Sequence, residues 1–147
     1  MPVKVSPEAA AEILEKISQI SYSMGFSGGL RPAQWNAIRY FGKSEDSIRT
    51  VGHFAKYNMT TPSSASQTIN ALVTRDILTR TSVSGDRRTY RVDLTDNGRR
   101  LLANDPIFHL IQAIAEMPEL QRFDLAEHLQ FLLLRMFERA TEHYGKS

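Results

Sequence analysis

A mainly α-helical chain carrying one small β-hairpin is predicted from three features of the sequence. Apolar residues recur every three or four positions through most of its length. Two short runs rich in β-branched residues lie side by side between Ile77 and Leu94, and Gly, Pro and Asn punctuate the stretches between elements. With 147 residues, 41% of them hydrophobic and 23% charged, the chain is large enough to bury a core. No apolar run approaches the roughly 20 residues of a membrane span, so no membrane partner is expected. The opening Met-Pro-Val-Lys-Val-Ser-Pro has no apolar stretch after its lysine, and a cytoplasmic location is expected. The absence of cysteine excludes disulfides, thiolate catalysis and Cys-ligated zinc.

The elements follow in order. Ser6-Pro7 before Glu8 opens a first amphipathic helix with Ile13, Leu14, Ile17, Ile20 and Met24 on one face, ended by Gly25, Gly28 and Gly29. Arg31-Pro32 opens a second, with Trp35, Ile38 and Phe41 apolar and Gly42 as its stop. A third, from about Ser47 to Tyr57, turns Ile48, Val51, Phe54 and Ala55 inward. After the turn Asn58 to Thr61, Thr61-Pro62 starts a fourth helix, Thr as cap and Pro at the first helical position. Strands are expected over Ile77 to Val83 and Thr89 to Leu94, joined by Ser84-Gly85-Asp86-Arg87-Arg88. Helix resumes at Thr95, is interrupted at Asn104-Asp105-Pro106 and again at Pro118, and ends near Gly145 after Leu125, Leu129, Leu132, Leu133, Met136 and Phe137.

Charge is uneven along this order. Between Leu30 and Arg100 stand twelve Lys and Arg against six Asp and Glu, a net +6, whereas the flanks hold six bases and ten acids, a net −4. A basic centre of this kind fits a polyanion partner. Within it, the fourth helix buries Ala65, Ile69, Leu72 and Val73 and turns Ser63, Ser66, Gln67, Asn70 and Thr74 the other way. A helix preceded by a turn and a shorter helix can lie in the major groove of double-stranded DNA, where Gln67 and Asn70 can each pair with the N6 and N7 edge of adenine. Thr61, Ser63, Ser64 and Ser66, near the helix start, suit phosphates, as does Arg75 beyond its end. At the hairpin tip Arg87 and Arg88 suit a narrow minor groove, with Asp86 shaping the loop by pairing to an arginine. A solvated polar helix and a charged surface hairpin explain the same residues without DNA.

The run Asp86-Arg87-Arg88, then Leu94-Thr95 and Gly98, resembles the wing of the MarR family of winged helix-turn-helix transcriptional regulators. Phe54-Ala55 and the recognition-helix positions Ile69 and Leu72 extend the resemblance over about residues 30–102. Asp76 stands where the family has glycine after the recognition helix. The resemblance implies a winged helix-turn-helix whose terminal helices form a dimerisation region. That divides the chain into an N-terminal dimerisation helix (1–30), a DNA-binding domain (31–100) and C-terminal dimerisation helices (101–147). It also implies a homodimer on a pseudo-palindromic operator, commonly a repressor, with Ile13, Ile17, Leu129, Leu133 and Phe137 as candidates for the dimer core. Tyr22, Phe26, Trp35 and His53 can line a pocket for a small aromatic effector, although aromatics at helical spacing are more often core.

Two other readings compete. A winged helix can serve as a protein-interaction module, which should expose apolar residues on the fourth helix. An enzyme is not expected: His53, His109, His128 and His143 lack metal-ligand spacing, no phosphate loop or nucleophile elbow is present, and no cofactor or metal site is foreseen.

Overall fold

A computed structural model describes residues 5–83 and 90–145. They divide into two compact units, one ending at Ile107 and the other beginning at Phe108. The first holds α1 (Pro7–Met24), α2 (Pro32–Lys43), a 3-10 turn (Asp46–Ile48), α3 (Val51–Tyr57), α4 (Pro62–Thr74), β1 (Leu78–Ser82), β2 (Tyr90–Leu94) and α5 (Asp96–Leu102). The second holds α6 (Phe108–Ala115) and α7 (Glu119–Tyr144). This is the mainly α, winged helix-turn-helix architecture that the sequence predicts.

Side chains that satisfy free N–H groups set most helix starts. Ser6 accepts from the Ala9 N–H, Thr50 from His53, Thr61 from Ser64 and Thr95 from Gly98, and proline occupies the first helical position of α1, α2 and α4. At α2, which begins with Arg31, the Gln34 side chain instead reaches back to the Arg31 N–H at 2.9 Å.

The predicted single helix from Ser47 to Tyr57 is in fact two pieces. Arg49 leaves the 3-10 turn with its carbonyl accepting the Val92 N–H of β2 at 2.8 Å, and Thr50 is extended before it caps α3. A backbone committed to a strand 43 residues away cannot also complete a helical turn. Ile48, expected inside, is therefore 37% exposed. Gly42 is not a stop either: α2 runs on to Lys43, and a Cβ at position 42 would lie 2.5 Å from Leu102 and 2.9 Å from Leu94. Its missing side chain lets α2 press against β2 and α5.

Around α2, Trp35, Ile38 and Phe41 meet Phe54 and Ala55 of α3, Ala65, Ile69 and Leu72 of α4, and Leu78, Val92 and Leu94 of the hairpin in one buried cluster. β1 and β2 pair antiparallel, Leu78 opposite Leu94 and Ser82 opposite Tyr90, so alternate side chains of β2 enter that cluster.

Asp76 lies in the left-handed region at φ +56°, which a short polar side chain tolerates better than most, and redirects the chain from α4 into β1. The Thr95 hydroxyl donates toward the Asp76 carbonyl at 2.6 Å and lies 3.1 Å from that of Ile77, which also accepts the Thr95 N–H. A Cβ on Gly98 would stand 2.3 Å from the Ile77 oxygen, so only glycine permits this approach.

At the other edge, buried Asp105 takes two hydrogen bonds from Arg39, 2.7 Å from Nε and 2.6 Å from the second guanidinium nitrogen, and a third from the Ile107 N–H at 2.9 Å. Burial pushes its carboxyl upward. The Arg39 hydrogen bonds, the Ile107 N–H and the charges of Arg39 and Lys43 outweigh burial and hold it below the usual aspartate range.

α1 has no buried residue, with Ile13 57% exposed and Ile20 49%. α7 exposes Leu120, Phe123, Phe131, Leu133, Leu134 and Met136. No helix among the described residues is long and apolar enough to cross a membrane.

Two outcomes are expected. Gly98→Ala should destabilise by about 1–3 kcal/mol through overpacking against backbone, whereas Gly52→Ala, with nothing within 4 Å of the added Cβ, should be neutral or stabilising in the same thermal unfolding assay. A depressed folded pKa means that the ionised Asp105 stabilises the fold in full above the unfolded value of about 4 and that this contribution is lost as pH falls below it. Asp105→Asn should therefore cost about 2 kcal/mol at neutral pH. Denaturant titrations of both proteins should converge as the medium is acidified, and a pH-independent gap would contradict the ion pair's role.

Candidate nucleic-acid interface

The helix-turn-helix is α3, the turn Asn58 to Thr61 and α4. Met59, at φ +50°, makes the turn tight, and the Thr60 N–H returns to the Ala55 carbonyl at 3.0 Å. Ala65, Ile69 and Leu72 are fully buried, which locks α4 about its own axis and presents the opposite face to solvent.

On that face Ser63, Ser64, Gln67, Asn70 and Thr74 are exposed and Ser66 is half-buried. The side chains of Ser63, Gln67 and Asn70 engage no partner among the described residues, so their donors and acceptors are available. Thr61 and Ser64 are partly committed: the Thr61 hydroxyl caps the Ser64 N–H and donates to the Ser64 hydroxyl, both at 3.1 Å. Thr74 bonds back to the Asn70 carbonyl at 3.0 Å. None of the exposed large apolar side chains lies on α4.

Arg75, grouped by sequence with the DNA contacts, donates to the Gly29 carbonyl at 3.0 Å and so ties the end of α4 to the α1–α2 loop. Gly28 and Gly29 are both left-handed there, at φ +61° and +72°. Asp86, Arg87 and Arg88 lie outside the described residues.

Sequence reasoning missed how the wing is held. Arg49 bonds Asp46 on one side and reaches Asp93 of β2 at 3.2 Å, while Arg91 holds the other Asp93 oxygen at 3.0 Å and approaches Asp46 at 3.8 Å. Two arginines and two aspartates thus join the entry of α3 to the strand that leads from the wing. Arg91 and Asp93 share a strand face, which alternation reveals. The partnership of Arg49 with Asp93 is non-local, and no short-range pattern announces it.

The four aromatic-pocket candidates do not converge on a described cavity. Trp35 is a core residue whose indole N–H donates to the Ser27 carbonyl at 3.1 Å. Tyr22 and Phe26 pack edge to face at 5.2 Å on the surface, and His53 is exposed at the start of α3, its Nδ1 2.7 Å from the Thr50 hydroxyl. A cavity of about 370 Å³ lies elsewhere, lined by Asn36, Arg39, Tyr40, Lys43, Ser44, Ile48 and Tyr57.

Comparison with known proteins places this arrangement. The MarR family model matches residues 28–89. The fold is shared with Streptococcus pneumoniae FabT, solved in complex with DNA (21% identity, 89% of this chain and 94% of that one, TM-score 0.70). It is shared with a MarR/EmrR family transcriptional regulator from Acinetobacter sp. ADP1 (19%, 89% and 96%, TM-score 0.71). A Mycobacterium tuberculosis MarR family protein, solved with salicylic acid, is also similar (15%, 90% and 99%, TM-score 0.60). Against curated protein sequences nothing matches significantly.

Removing the shared acid of the wing network should loosen the wing first. Asp93→Ala is expected to cost about 1–2 kcal/mol and to speed amide hydrogen exchange at Val92 more than at Ile69. Equal acceleration at both sites would show that the network does not act locally.

Proposed function

Taking residues 28–89 as a winged helix of the MarR family, we propose that this protein is a sequence-specific DNA-binding transcriptional regulator, a repressor that acts as a homodimer on a pseudo-palindromic operator. The observation that carries this reading is the solvent face of α4. It offers unpartnered amides and hydroxyls at Ser63, Gln67 and Asn70 on a helix whose other face is locked in the core. Gln67 and Asn70 read base edges in the major groove, and Ser63, Ser64, Ser66 and Thr61 approach phosphates at the helix start. Arg75 adds a phosphate contact through guanidinium N–H groups not used on Gly29. Arg87 and Arg88, shaped by Asp86, enter the minor groove. Lys56 and Arg80, both exposed, add to the positive field of the same segment. A docking surface for another protein would need apolar groups where α4 presents polar ones.

The homodimer rests on the terminal helices. Ile13, Ile17, Leu129 and Leu133 are exposed in the single chain, an apolar surface that a monomer in water pays for heavily. In the dimer those helices cover one another, Phe137 among them, and place two recognition helices about one turn of DNA apart. Relief by a small aromatic ligand belongs to the same reading, supported by the M. tuberculosis relative solved with salicylic acid.

Selection from random duplex pools at two salt concentrations tests the proposal. A pseudo-palindrome with half-sites about 10 base pairs apart should be enriched. Gln67→Ala should shift base preference by about 1–3 kcal/mol at one position of each half-site, Arg87→Ala should weaken binding and flatten its salt dependence, and Leu133→Glu should give monomers that fail to retain the operator. Recovery of no sequence, with no salt-sensitive binding, would refute DNA recognition and bring the protein-interaction reading forward.

A further inference from the structure

The cavity beside α2 has a composition that the winged helix does not need. We propose that it is a binding site for a small aromatic monoanion, with Lys43 and Arg39 holding the carboxylate and Tyr57, Tyr40 and Ile48 enclosing the ring. This deepens the effector part of the proposed function and rests on it for its regulatory meaning, but the site itself is argued from its walls.

The walls divide chemically. Tyr57 is 62% exposed although its ring lies 5.0 Å from that of Tyr40, and Ile48 is the side chain displaced from the core by the break at Arg49. Together they form an apolar ledge open to solvent, with Tyr40 behind it. The Tyr40 hydroxyl donates to the Ile48 carbonyl at 2.7 Å, which fixes the ring as a rigid back wall.

The opposite wall is cationic. Lys43 is exposed and has no ion-pair partner among the described residues. Arg39 spends two N–H groups on Asp105 and one on Asn36, leaving two of its five donors. Because Asp105 already neutralises Arg39, the uncompensated charge of the site is that of Lys43, and it matches one carboxylate rather than a multiply charged phosphate.

At about 370 Å³ the space lies at the lower end of small-molecule sites. It suits a single ring with a carboxylate. An occupant would touch α2, the residue before Arg49 and the last residue of α3 at once, and so would bridge the helix that anchors the core to the segment that orients α4.

The site is tested on the full-length protein without DNA, by calorimetric titration with benzoate, with neutral benzamide and with acetate, which lacks the ring. Benzoate should bind saturably, and benzamide and acetate should each bind about tenfold or more weakly, the factor expected for one lost charge-assisted hydrogen bond or one lost ring contact. Lys43→Met should weaken benzoate to the level of benzamide and leave benzamide unchanged. Tyr57→Ala should weaken both, and being a surface truncation it leaves the core intact. No saturable benzoate binding would overturn the proposal. Binding abolished by Tyr22→Ala or Phe26→Ala, and untouched by Lys43→Met and Tyr57→Ala, would overturn it equally and move the ligand to the end of α1. Duplex binding by the same preparations is measured separately. Loss of benzoate binding with DNA recognition intact refutes only the site, whereas saturable benzoate binding without DNA recognition refutes the regulator reading and leaves the site standing.

Discussion

The carbonyls of Asp76 and Ile77, where the chain leaves α4, both turn toward Thr95, where it leaves the hairpin. One hydroxyl and one N–H therefore join the end of the recognition helix to the base of the wing, and the same hydroxyl starts α5 by accepting the Gly98 N–H. This junction tolerates no side chain at Gly98 and requires a left-handed residue at Asp76. The relative orientation of α4 and the hairpin follows from it. A reading head made of two elements is only as accurate as their mutual geometry, and here that geometry is set by backbone groups that rotamer changes cannot relax.

Around the junction the fold distributes its polar interactions to positions that align elements. The Arg49–Asp46–Arg91–Asp93 group joins the entry of α3 to β2, Arg75 joins the exit of α4 to the α1–α2 loop, and the Arg39–Asp105 pair holds α2 to the segment after α5. Exposed ion pairs contribute little to stability. The half-buried ones here act chiefly by restricting how helices and hairpin sit against one another. The face of α4 that remains free of such ties is the one proposed to meet DNA, and its availability results from the commitments made elsewhere.

The terminal helices follow a different logic. α1 buries nothing and α7 leaves Phe131, Leu133 and Leu134 in solvent, so their apolar faces are unresolved by the single chain. Within the first unit the opposite holds, because Gly42 lets α2 approach β2 and α5 closely enough to seal the core. A sealed reading domain attached to unsealed helices is what places association, rather than further folding, at the centre of the proposed dimer.

Local chemistry in the sequence determined most of the elements. Helix starts were legible at Ser6, Thr61 and Thr95, because a capping hydroxyl acts on N–H groups two or three residues away, and the division of α4 into core and solvent faces was legible from its period. The interruption at Asn104-Asp105-Pro106 was legible as well. What depended on partners distant in sequence was not. The break at Arg49 follows from Val92, the exposure of Ile48 follows from that break, and the glycine at position 42 answers to Leu94 and Leu102 rather than to a helix end. Trp35 shows the same limit: periodicity placed it on an apolar face but could not tell core from ligand wall, since both present an aromatic ring to the same side. Only packing decided that Trp35 closes the core while Tyr57 and Ile48 are left to line a cavity, because burial is a property of what the rest of the chain brings against a side chain.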